Sequence, residues 1–146
     1  MKSFPTCEQY KSDPKIVLEE RKSKICFLNP DKENILIITV DGCVVKDNET
    51  LRCDYAIVPC AAIEIYIELK GSEILHAVKQ IESTIKLLSN DPQKIKKLCF
   101  VVSTRVPKQT TNIQQLQTHF KKKFNAKFRI KNKEDEYNLR DILNPA

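Results

Sequence analysis

The chain has very little glycine: two in 146 residues, Gly42 and Gly71. A phosphate-cradling P-loop and a dinucleotide fingerprint each need several glycines in one short loop, so no ATP, NAD or other nucleotide cofactor is expected. Histidine is equally scarce. His76 and His119 are the pair present, and neither accompanies a credible serine or cysteine nucleophile, which leaves covalent hydrolase chemistry unsupported. No apolar run reaches the 18 residues of a membrane-spanning helix. The first ten residues, Met-Lys-Ser-Phe-Pro-Thr-Cys-Glu-Gln-Tyr, contain no apolar signal core, and a cytoplasmic location is expected. Internal repeats and low-complexity tracts are also missing. Six cysteines, at 7, 26, 43, 53, 60 and 99, include no Cys-x-x-Cys pair, so a zinc site is not expected. An even count can mean disulfides in a small secreted chain; without a secretion signal, buried thiols in a reducing compartment are the reading adopted.

What is present fits one domain spanning residues 1–146 with a core of its own. The formal charge of +6 is unevenly spread. Residues 1–90 carry a net −2 and residues 134–146 a net −3, whereas residues 91–133 hold 12 basic side chains against one acidic, a net +11. Arg105, Lys108 and the run Lys121, Lys122, Lys123 belong to this block. The ordinary alternative is a solvated face. A polyanion-binding surface is the functional one, because neutralising phosphates with Lys and Arg dominates nonspecific nucleic-acid affinity.

Along the chain, Asp13-Pro14 resembles an N-cap followed by proline at the first helical position, which predicts a helix over roughly 14–27. Residues 35–46 predict a strand, bulged or bent at Asp41-Gly42. After the turn at 47–50, a strand over 52–58 leads into another over 63–70. In the latter, Ile63, Ile65, Ile67 and Leu69 alternate with Glu64, Tyr66, Glu68 and Lys70, the period of a half-buried strand. Ile74, Leu75, Val78, Ile81, Ile85 and Leu88 recur at helical spacing. Leu98 to Ser103 reads as a strand buried on both faces. Ile113, Leu116, Phe120 and Phe124 mark another helix, Phe128 and Ile130 a short strand, and 135–143 a final helical turn or two. The expected class is α/β (α+β), a mixed central sheet with helices on both faces.

One constellation carries chemistry. Asp54 lies in the predicted strand over 52–58, and Glu68-Leu69-Lys70 closes the next. Phosphodiester hydrolysis needs an activated water and neutralised phosphate charge. Magnesium provides both and takes oxygen ligands, commonly one or two carboxylates plus water and phosphate. Asp54 and Glu68 can supply the carboxylates, the Leu69 carbonyl a third oxygen, and Lys70 a cation to orient the water or meet the phosphate. Asp41 is read as a bulge residue rather than a further acidic group of the site. His76 and His119 are read as surface residues.

Asp54, thirteen intervening residues, then Glu68-Leu69-Lys70 resembles the motif of the PD-(D/E)xK nuclease superfamily, whose fold is restriction-endonuclease-like. The resemblance covers roughly residues 14–103. It departs at Cys53, which stands where the motif has its proline. It implies that Asp54 and Glu68 bind Mg²⁺, with Mn²⁺ able to substitute, and that Lys70 assists the water. It further implies a glutamate from the first helix, Glu19 or Glu20, and a polar residue, Gln80, on the helix after the Glu-x-Lys strand. The expected function is that of a metal-dependent DNA endonuclease acting on duplex or branched DNA, in restriction or phage defence, recombination or repair. It would work as a homodimer or as a subunit of a larger nuclease complex. The rival expectation is a non-catalytic nucleic-acid-binding or assembly subunit on the same fold.

Overall fold

The computed structural model describes residues 1–69, 73–105 and 111–143. Among these residues a 3₁₀ turn at Pro5–Cys7 precedes nine strands and three helices: β1 (Glu8–Lys11), β2 (Lys15–Glu20), β3 (Ser23–Leu28), β4 (Ile35–Thr39), β5 (Tyr55–Cys60), β6 (Ile63–Leu69), α1 (Ile74–Leu88), β7 (Lys96–Ser103), α2 (Thr111–Phe124), β8 (Ala126–Asn132), β9 (Glu134–Asn138) and α3 (Leu139–Leu143). Six strands form the large sheet in the order β1-β4-β5-β6-β7-β8, and β2-β3-β9 form a second sheet. β4, β5 and β6 are an antiparallel meander. α1 then crosses back so that β7 lies parallel to β6, and α2 does the same for β8 beside β7. The class is thus mixed α/β with a mixed central sheet.

The helix predicted over 14–27 is instead the β2–β3 hairpin, closed by the two-residue turn Arg21-Lys22 between Glu20 and Ser23. The physical reason is alternation. Ile16, Leu18, Ile25 and Phe27 are buried with exposed or part-exposed neighbours between them, a period of two that outweighs the helix-start look of Asp13-Pro14. This small sheet, joined by α3, takes the place of the helix expected on one face of the large sheet.

Two cores result. On one face of the large sheet Tyr66, Ala56, Cys99 and Val101 pack with Val78, Ile81 and Ile85 of α1 and Phe120 and Phe124 of α2. On the other, Ile63, Ile65, Ile67, Leu69 and Phe100 pack against Ile16, Leu18, Ile25 and Phe27, with Leu139 and Ile142 of α3 alongside. β6 is therefore buried on both faces along its whole length, not half-exposed as its alternation predicts. Its polar face, Glu64, Tyr66 and Glu68, lies under the helices.

The strand predicted over 35–46 ends at Thr39. Asp41 sits in a tight turn where Gly42, at φ +81, donates its N–H to the Val45 carbonyl at 2.9 Å. Glycine suits this left-handed position because it carries no Cβ. The expectation of six reduced cysteines is corrected at one pair: Cys7 and Cys43 form a disulfide, with their Cα atoms 5.7 Å apart. Cys53 and Cys99 are buried free thiols, Cys26 is half-buried and Cys60 exposed. The predicted final helix over 135–143 begins as β9 and becomes helical only at Leu139. No helix among the described residues is long and apolar enough to cross a membrane.

Candidate active site

Parallel strands end at a common edge. Leu69 pairs with Val102, and Ser103 pairs with Asn132, so the C-terminal ends of β6, β7 and β8 lie side by side. The antiparallel partner β5 brings its beginning to the same edge, where Tyr55 pairs with Ile67. In open α/β sheets this is the edge outside which ligands bind.

Asp54 and Glu68 both lie at this edge. The Asp54 N–H donates to the Ile67 carbonyl at 3.0 Å, although Tyr55 already pairs with Ile67. Two consecutive residues facing one is the pattern of a bulge, which re-aims a side chain. The Asp54 carboxylate turns onto β6, where its Oδ2 accepts the Leu69 N–H at 2.7 Å. It thus sits within one residue of Glu68. Asp54 is 3% and Glu68 4% exposed, unusually deep for carboxylates.

Three further contacts hold Asp54 in place. Its carbonyl accepts the N–H groups of Val40 at 3.0 Å and Asp41 at 3.3 Å. From α1, the Thr84 hydroxyl accepts the Cys53 N–H at 2.8 Å while donating to the Gln80 carbonyl, also at 2.8 Å. Gln80 is half-exposed, and its main chain is tied to the site through Thr84. Asp41, read from sequence as a bulge residue, pairs with Arg52 at 2.9 Å.

Neighbouring groups register the negative charge. Burial, with Glu68 and Asp54 adding, pushes the Cys53 thiol up to about 12. Burial, then the charges of Glu20, Asp54 and Asp41, raises the Tyr55 hydroxyl. The Glu20 charge acts on Tyr55 from the end of β2, not from a helix. Glu19 is exposed and pairs across the hairpin with Lys24. Among the described residues no three Asp, Glu, His or Cys side chains close into a metal-binding group. Asp54 and Glu68 are a pair, a number of protein carboxylates that magnesium accepts when water and phosphate complete its shell.

Lys70 and Lys108 lie outside the described residues. Arg105 is exposed just past β7, its N–H and carbonyl bonded to the Ser103 hydroxyl at 3.1 and 2.7 Å, at the same edge as the carboxylates. Lys121, Lys122 and Lys123 are elsewhere. They end α2 and lead into Ala126, which pairs with Lys97 at the opposite end of the sheet. Lys123 is paired there with Glu82 at 3.5 Å, and Lys121 donates to Asn125 at 3.2 Å. His76 and His119 are exposed, as expected.

Sequence reasoning passed over Thr84, which looks like one more residue of the α1 stripe; the i, i+4 bond to Gln80 gives no sign of its second partner. It also passed over the basic turn residues Arg21 and Lys22, which were hidden by the helix expected over 14–27; Lys133 was counted in the basic block, with no sign of its place beside them. No family model matches the chain, and no curated protein or solved structure shows detectable similarity to it.

Proposed function

We propose that this chain is a metal-dependent endonuclease that hydrolyses DNA phosphodiester bonds, with Asp54 and Glu68 as metal ligands. The observation that carries the reading is that two carboxylates are buried at the C-terminal edge of the parallel strands, with Asp54 bonded to the backbone N–H of Leu69, the residue after Glu68. A buried carboxylate is costly to keep charged, and a divalent cation is one group that offsets that cost. The order of elements supports the same reading. An antiparallel meander followed by a helical crossover into a parallel strand is the core that the resemblance to restriction-endonuclease-like nucleases implies. The hairpin in place of the first helix is a departure from that pattern, as is Cys53 in place of proline.

Magnesium, when bound, supplies charge neutralisation at the phosphate and an activated water. Asp54 and Glu68 would hold it, with the Leu69 carbonyl as a further oxygen. The Leu69 N–H and the carbonyl contacts from Val40 and Asp41 fix the Asp54 carboxylate before substrate arrives. Lys70, next in the chain, would orient the water or meet the phosphate. Glu20 and Gln80 are the further polar residues that the resemblance implies for this site, and they would help to place that water. One such site cuts one strand, so a double-strand break needs a second copy or a partner subunit.

The test is cleavage of supercoiled and linear DNA in Mg²⁺ or Mn²⁺ by the parent chain and by Glu68→Gln. Metal-dependent cleavage by the parent, lost in the variant, is the expected result. Equal cleavage by both, or none by either, overturns the proposal. Salt-sensitive DNA binding together with a heatless Mn²⁺ titration favours the non-catalytic subunit instead.

A further inference from the structure

We infer that the nucleic-acid backbone is gripped by the two turn tips at the carboxylate edge, Arg21-Lys22 of the β2–β3 hairpin and Lys133 between β8 and β9, and not by the lysine run that ends α2. The inference deepens the nuclease reading and rests on it for the identity of the polyanion.

The tips are brought together by pairing. Lys133 is the single residue joining β8 to β9; its N–H donates to the Ser103 carbonyl at 2.7 Å, and its carbonyl accepts the Lys24 N–H at 2.9 Å. β3 and β9 run parallel from there, with Lys24 opposite Glu134. The start of β3, the end of β2 and the turn between them are thereby set at the end of β8, beside the ends of β7 and β6. Arg21, Lys22, Lys24 and Lys133 are exposed and line one cleft of about 370 Å³. Arg105 lies at the same edge, and exposed Lys131 lies two residues before Lys133 on β8.

Acidic groups are interspersed. Glu19 and Glu134 line the cleft too, and Glu134 reaches Lys24 at 4.0 Å. Four cations against two carboxylates leave the cleft positive. Neighbouring strands lie about 4.8 Å apart, so the tips of β2, β3 and β9 span roughly 10 Å. A nucleic-acid strand presents one charge per about 3.4 Å of duplex axis, so this row can meet two or three successive phosphates. Such contacts fix register without reading sequence. They would lay the backbone across the edge where Asp54 and Glu68 sit. The Lys121–Lys123 run is a sheet-length away, at the other end of the parallel strands, and so cannot serve the same bound strand at the same place.

The experiment is binding of the full chain to a fluorescent DNA duplex over a series of salt concentrations, with Ca²⁺ in place of Mg²⁺. The variants are the triple Arg21→Ala, Lys22→Ala, Lys133→Ala and the triple Lys121→Ala, Lys122→Ala, Lys123→Ala. Lys32→Ala, at the far end of β3, is a single-charge control. If each tip residue meets a phosphate, the tip triple lowers the slope of log affinity against log salt by about 2.7, at about 0.9 per contact. The α2 triple and Lys32→Ala keep the parent slope. Should the tip triple fail to fold by circular dichroism, Lys22→Gln and Lys133→Gln, each made alone, are expected to lower the slope by about 0.9. An unchanged slope in the tip variants, a loss confined to the α2 triple, or no DNA binding by the parent overturns the inference. Cleavage is scored separately. A parent that cuts DNA while the tip variants bind normally removes this surface and leaves the nuclease reading; tip-dependent binding without cleavage removes the nuclease reading and leaves the surface.

Discussion

Thr84 of α1 accepts the backbone N–H of Cys53 at 2.8 Å, one residue before the carboxylate that turns onto β6. A helix that packs chiefly through aliphatic side chains thus also sets the position of Asp54. Thr84→Val keeps the shape but leaves a buried N–H without its acceptor, which costs about 1–3 kcal/mol. Denaturant unfolding should show that loss, and Thr84→Ser should recover most of it. Because the bond also steadies Asp54, Thr84→Val should weaken Mn²⁺ binding. An unchanged Mn²⁺ affinity in a destabilised variant would limit Thr84 to holding the fold.

Glu68→Gln and Lys70→Met separate metal binding from the chemical step. Glu68→Gln should lose Mn²⁺ heat and DNA cleavage together, with cleavage down about a hundredfold or more, the scale of losing one group that stabilises transition-state charge. Lys70→Met should keep metal binding and DNA affinity while losing cleavage. Calorimetry and a gel assay on the same preparations read both. Full cleavage by Lys70→Met would remove that residue from the mechanism.

The cysteines predict a count. The chain unfolded in denaturant without reductant should expose four thiols to a chromogenic disulfide reagent, and six after reduction, because Cys7 and Cys43 are joined. In the folded chain Cys60 should react first and Cys26 more slowly. Cys53 and Cys99 should react only on unfolding. Six thiols without reductant would contradict the disulfide.

Alkaline pH should destabilise the fold through Cys53. Its thiol is raised from 9.0 to about 12 in the folded chain, so the unfolded chain gives up its proton first. The stability contributed by keeping the thiol neutral is complete below pH 9 and is lost as pH rises toward 12. The slope is about 1.4 kcal/mol per pH unit within that window. Cys99, also raised by burial, acts in the same direction. Unfolding midpoints at pH 8 and pH 10.5 should differ less in Cys53→Ala than in the parent, whatever the variant's absolute stability. Equal differences would show that the thiol is not the linked group.

Local pattern alone was enough for β6, α1, β7 and α2. Each has a strong period, of two or of 3.6, or an unbroken apolar run, and each period follows from backbone geometry that needs no tertiary partner. The pairing of Asp54 with Glu68-Leu69 was legible for the same reason, since two adjacent strands of a meander bring their near ends together. The β2–β3 hairpin was not. Its first residues satisfy the rules for a helix start, and only burial of Ile16, Leu18, Ile25 and Phe27 against the outer face of the large sheet makes the two-residue period win. Long-range pairing decided the rest. Whether Cys7 finds Cys43, whether Glu20 ends a strand or lies in a helix, and which cations share an edge with the carboxylates all depend on where distant segments dock. The basic block looked continuous from residue 91 to 133, yet the parallel crossovers put Lys121–Lys123 and Lys133 at opposite ends of the sheet, because a strand carries its two ends some twenty ångströms apart, roughly 3.3 Å per residue, whatever their closeness in sequence.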